Sequence, residues 1–253
     1  MKTKKYLSVV IAIGLIWSLI ALSEKIDSEI YTVFMYIAFG LILIALFAYQ
    51  IKLRTDLIKT LTNKLNPKKF LDEYQALDTN KYSNDRYILE ALAFILAGDF
   101  IKAESWLKNV KNKKYDILKA DALLVLCLYF SENTVQLSSA TSSLKQHLEA
   151  EENSKYEYLY YFADIIEAIV YDKPIEAQLT EKYFNSLPKK DFVEIYVSSY
   201  ILGEAKLKMG DTENALALFD NIINSNCDST ILYSKAKTKA DTIRSGQKAE
   251  PQH

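Results

Sequence analysis

The stretch YILGEAKLKMGDTENALALFDNII, Tyr200 to Ile223, decides how the fold is read. Gly210-Asp211 interrupts two segments that otherwise carry helical periodicity. A glycine at such a turn is free to take a positive φ, and the carboxylate of Asp211 can cap the helix that follows. Leu202, Gly203 and Ala205 supply small or apolar contacts on the first segment, and Ala215, Leu216 and Phe219 supply them on the second. Two short helices hinged at a glycine make a helical hairpin.

The same arrangement occurs upstream, where segments 86–97 and 100–110 flank Gly98-Asp99. Ala91, Phe94, Gly98, Ala103 and Leu107 are spaced as Gly203, Lys206, Gly210, Ala215 and Phe219 are. From Leu202-Gly203 through Gly210 and Ala215 to Phe219 the pattern resembles the tetratricopeptide (TPR) repeat. Lys206 departs from it, because that family usually has an aromatic there. Two looser units lie between. Segment 115–130 breaks at Ser131-Glu132-Asn133 before a helix to about residue 150, and segment 156–171 breaks at Asp172-Lys173-Pro174 before a helix to about residue 187. The Pro suits the first turn of a new helix. With Gly98, Glu132, Asp172 and Gly210 as hinges the spacings are 34, 40 and 38 residues, against 34 for the family.

Residues 70–245 are therefore expected to form an all-α, TPR-like solenoid of helix pairs. Its last helix, 229–245, carries the stripe Leu232, Ala236, Ala240 and Ile243 and would seal the exposed end. Residues 246–253 have no periodicity and read as a disordered tail. Six Gly and four Pro in 253 residues fit long helices better than a turn-rich β architecture.

The near-neutral net charge hides an asymmetry. Residues 1–70 hold ten Lys/Arg against four acids, and the remainder hold 21 against 28. An acidic body argues against nucleic acid as a ligand. Cys127 and Cys227 cannot form a disulfide framework, and Cys127 sits in the apolar run LLVLCLYF, which reads as core.

Tyr6–Leu22 and Ile30–Tyr49 are uncharged runs of 17 and 20 residues, so residues 1–50 are expected to be a two-span transmembrane hairpin in contact with a lipid bilayer through residues 6–49. Ala21-Leu22-Ser23 also has the small-x-small pattern of a cleavage site. Lys2, Lys4 and Lys5 precede the first run, and Lys52, Arg54, Lys59, Lys64, Lys68 and Lys69 follow the second. By the positive-inside rule both termini would be cytoplasmic in a multi-pass protein of the cell membrane. Residues 51–69, with Leu53, Leu57, Leu61 and Leu65 in one stripe, read as a basic amphipathic linker whose six cations face the membrane surface. Asn66-Pro67 ends that helix.

No catalytic constellation is visible. The two histidines, His147 and His253, stand apart from any Cys or Asp at metal-ligand spacing, and no glycine-rich phosphate loop is present. No enzyme activity, cofactor or metal is expected. The resemblance to TPR proteins implies that the first helix of each pair lines a groove for a protein partner. Aligned on the repeat, that face would include Asp85, Ile88 and Leu92 in the first unit, Phe162, Ile166 and Ile169 in the middle, and Val197, Tyr200, Glu204 and Lys208 in the last. Ile88 and Leu92 stand where the family's carboxylate clamp would begin, which disfavours that ligand class. Tyr200, Glu204 and Lys208 share a helix face at i, i+4 and i+8; with Asp85 they are the expected partner-binding residues. The function expected is that of a membrane-anchored adaptor, with a membrane-associated sensor or regulator as the alternative.

Overall fold

The computed structural model describes residues 29–75, 83–111, 114–150, 156–187, 192–225 and 227–249, and side chains at somewhat fewer positions. These residues form eleven α-helices, and no strand occurs among them. They are α1 (Glu29–Thr62), α2 (Pro67–Gln75), α3 (Asn84–Ala97), α4 (Phe100–Leu107), α5 (Lys114–Phe130), α6 (Thr134–Glu149), α7 (Glu157–Val170), α8 (Ala177–Ser186), α9 (Phe192–Lys208), α10 (Thr212–Ile223) and α11 (Ile231–Ala249). The chain divides into two compact units, residues 1–59 with 72–77 and residues 60–71 with 78–253.

In the second unit α3–α4, α5–α6, α7–α8 and α9–α10 pack as neighbouring pairs. The first helices of the pairs also stack in order, α3 on α5, α5 on α7 and α7 on α9. The result is an all-α, helical repeat-like array. Its hinges share one chemistry. Gly98, Glu132, Asp172 and Gly210 have φ of 81°, 59°, 52° and 79°. At each, the amide that follows reaches back five residues: Asp99 to Phe94, Asn133 to Leu128, Lys173 to Ala168 and Asp211 to Lys206, at 2.9–3.0 Å. This bond closes the orphan carbonyls at a helix C-terminus when one residue turns left-handed. Asp99, Asn133 and Asp211 then cap the next helix by accepting from the amides of Lys102, Gln136 and Asn214. One residue thus ends a helix and its neighbour starts the next, which is why these turns are short.

The hinge at Asp172 lacks such a cap. Lys173 follows it, and α8 begins only at Ala177. Pro174 consequently lies in the connection and not in the first turn of α8. The other boundaries expected in segments 86–171 fall within three residues of the helix ends. The final helix runs to Ala249, into the segment expected to be aperiodic.

The core lies between the pairs. Ala91, Leu107 and Ala120 form one cluster, with Trp106, Val110, Leu123 and Leu124 packed against it. Phe219 is fully buried beneath α9, and a Cβ built on Gly203 would stand 2.7 Å from its ring. Cys127 is buried, and desolvation pushes its thiol up to about 12, so it stays protonated and inert.

The last helix does more than cover an end. It packs on α10 and α9 and also on α3, the first helix of the first pair. The Ser229 hydroxyl donates to the carbonyl of Leu65 at 3.2 Å.

The transmembrane expectation is overturned: among the described residues no helix is long and apolar enough to cross a membrane. In α1 the uncharged run ends at Ile51. Charged Lys52, Arg54, Asp56 and Lys59 follow within the same helix. The two-span hairpin and the multi-pass localisation are corrected accordingly. Residues 6–22 and the cleavage-like Ala21-Leu22-Ser23 lie outside the described residues. Without a spanning helix, the assignment of Lys52, Arg54, Lys59, Lys64, Lys68 and Lys69 to a membrane surface loses its basis. All are exposed except half-buried Arg54. Leu57, Leu61 and Leu65 of the expected stripe are buried within the protein. Asn66 caps α2 by accepting from the Lys69 amide at 3.0 Å, with Pro67 at the first helical position.

Candidate binding site

A cavity of about 240 Å³ opens where the C-terminal ends of α5 and α7 meet α6, α9 and α11. Its apolar wall is Leu128, Leu137, Ile169 and Val170, and its polar residues include Tyr129, Glu132, Tyr200, Glu204, Lys235 and Lys239.

The left-handed turn at Glu132 carries that side chain to the mouth, where Lys235 Nζ donates to its Oε1 at 2.9 Å. This hydrogen bond, helped by the charges of Lys235 and Lys239, holds the Glu132 carboxyl below its ordinary value. A depressed carboxylate contributes stability that is full above its unfolded value, near 4.5, and is lost as pH falls through the folded value. Acidification below about pH 4 is therefore expected to loosen the Lys235 contact, read as faster amide hydrogen exchange in α11. Glu132→Gln should remove that acid-dependent increment.

Tyr200 is packed between Phe130 and Phe219, with ring centroids at 5.5 and 5.7 Å. Its hydroxyl donates to Glu204 Oε1 at 3.3 Å. Lys239 Nζ lies 3.0 Å from the same carboxylate, which is only 8 % exposed. Burial first, then the Glu204 charge and hydrogen bond, push the Tyr200 hydroxyl well up. Burial does the same at Tyr129, reinforced by Glu204, Tyr200 and Glu132. Both phenols therefore remain neutral donors beside two carboxylates. The polar chemistry of this surface is two carboxylate–lysine pairs beside tyrosines, over an apolar wall.

Of the expected partner-binding residues, Tyr200 and Glu204 come together at this cavity. Lys208 does not, since it turns to Asp172, with Nζ and Oδ1 2.5 Å apart. Asp85 is exposed in the first turn of α3 and is not among the lining residues. Phe162, Ile166 and Val197 are core residues and not groove lining. Phe162 turns to Tyr183 of α8, the partner helix of its own pair, with centroids at 6.4 Å. Ile169 is half-buried and lines the cavity. Glu132, Lys235 and Lys239 were missed as site residues. A signal for the lysines was present, since they stand one turn apart beside the stripe of α11.

His147 Nδ1 meets Asp121 Oδ2 at 2.5 Å, joining α6 to α5. Among the described residues no group of three or more His, Cys, Asp or Glu is placed to hold a metal. No family model matches this chain, and neither a curated protein nor a solved structure matches it.

Proposed function

We propose that the chain is a TPR-like protein-binding module that holds a partner on the face of its first helices, at the cavity between α5, α7 and α9, and that it is not an enzyme. The observation that carries this reading is the stacking of α3, α5, α7 and α9 through four matched left-handed hinges beside an open cavity. Stacked helix pairs present an extended surface, and such repeats use it for recognition. The wall is apolar and the mouth carries rigid tyrosines and charges, a composition in which aromatics anchor and charges select.

The test compares two faces of the same molecule. Ile169→Asp places a charge on the half-buried cavity wall, while Val135→Asp places one on a residue that is 88 % exposed and does not line the cavity. Proteins retained from a lysate by the wild-type chain should be lost from Ile169→Asp, by at least tenfold, and kept by Val135→Asp. Melting curves of both variants confirm that the fold is intact. Equal retention by the two variants would place recognition elsewhere.

A further inference from the structure

The cavity is bounded on one side by the chain's own last helix, and the contacts made there describe a ligand. We propose that Glu132 and Glu204 form a receptor for a basic amphipathic helix of a protein partner, and that α11 is the resident occupant such a helix replaces. This rests on the binding-module reading and names the partner's chemistry.

Three observations support it. First, the contacts are charge-matched in register: Lys235 meets Glu132 at 2.9 Å and Lys239 meets Glu204 at 3.0 Å. Residues four apart lie one above the other on a helix, so the two carboxylates read a pair of cations one turn apart. Second, a buried carboxylate stripped of its cation is costly. Glu204 is 8 % exposed, so its surface favours an occupant that brings a cation on an apolar stem, which is what lysine and arginine supply. Tyr200 donates to the same carboxylate, and Tyr129 lines the cavity with it. Third, α11 fills its seat sparingly. Its Lys235 and Lys239 edge a cavity of about 240 Å³ whose apolar wall is Leu128, Leu137, Ile169 and Val170. A helix with the same lysine spacing that carries apolar side chains against that wall would bury more surface at the same charges.

The partner class is therefore a helix with Lys or Arg at i and i+4 flanking an apolar stripe. The probe is a fluorescently labelled peptide with the sequence of residues 231–249, titrated into full-length chains. The wild-type chain, whose own α11 holds the seat, should bind it weakly. Lys235→Glu/Lys239→Glu repels the resident helix from Glu132 and Glu204 and should bind the peptide at least tenfold more tightly. Lys235→Gln/Lys239→Gln keeps the stems without the charge, gives the same direction with a smaller gain, and substitutes should the reversed variant fail to fold. Adding Glu132→Lys/Glu204→Lys to the reversed variant should return binding to the wild-type level or below.

Two results would overturn the proposal. One is a folded reversed or neutral variant that binds the peptide no more tightly than wild type. The other is a fourfold variant that binds as tightly as the twofold one. Either leaves the comparison of Ile169→Asp with Val135→Asp standing, so this inference and the binding-module reading fail separately.

Discussion

Gly203→Val is expected to lower stability by about 3 kcal/mol, the upper part of the range for forcing extra methyl groups into a packed core. The cause is a single close approach. A Cβ at position 203 would lie 2.7 Å from Cε1 and 2.9 Å from Cζ of Phe219. Real contacts do not reach such distances, and Phe219 is fully buried with Tyr200 at 5.7 Å, so the ring has nowhere to retreat. Either α9 moves from α10 or the ring leaves its rotamer. For a chain of this size 3 kcal/mol corresponds to a fall in Tm of roughly 6–12 °C. Gly203→Ala should show most of the effect, because the first carbon already clashes. Phe219→Leu in the same background should recover part of the loss, since it removes the ring atoms involved. The measurement is a double-mutant cycle by thermal or urea unfolding. Additive losses with no recovery would mean that the helix spacing is set elsewhere.

Gly210→Val should cost about 2 kcal/mol for a different reason. Nothing lies within 4 Å of a Cβ at that position, so no contact is violated. The cost is conformational: at φ 79° an L-residue pays roughly 1–2 kcal/mol, and a β-branched side chain fits worst. Gly210→Asn should cost much less, because asparagine tolerates the left-handed region. A urea midpoint shifted at unchanged slope is the expected signature. If valine and asparagine were equally harmful, hinge geometry would not be the cause.

These two glycines also show why some of the fold is readable from sequence. Gly98-Asp99 and Gly210-Asp211 declare a left-handed stop followed by a cap, and both steps are local chemistry. Glu132 and Asp172 adopt the same backbone without the residue that favours it. At Glu132 the cap Asn133 and the loss of periodicity still marked the turn. At Asp172 no cap follows, and the start of α8 was misplaced because Pro174 looked like a helix opening. The left-handed state at these two positions comes from the backward amide bonds of Asn133 and Lys173, which residue type does not announce.

The cavity was less legible for a related reason. Its cations come from α11, 103 residues from Glu132 and 35 from Glu204. No local pattern carries that docking, so Tyr200 and Glu204 were found while Lys235 and Lys239 were not. Alignment on the repeat also placed Phe162 and Ile166 in a groove, because spacing gives a face but not how deeply neighbouring helices cover it. The membrane expectation failed at a similar step. An uncharged run suggests a span, but among the described residues no helix is long and apolar enough to cross a membrane, and α1 passes directly into charged residues.

The contact of α11 with α3, and the hydrogen bond from Ser229 to Leu65, bear on how the array comes apart. A linear stack of repeats touches only its nearest neighbours and can fray inward from either end, one unit at a time. Here α11 packs on α3, so the first pair cannot open without disturbing the last helix. Unfolding in this unit should be correspondingly concerted, with amides of α3 and α11 exchanging in a common event instead of by independent fraying. The same long-range closure raises contact order, so the array should fold more slowly than an open stack of equal length.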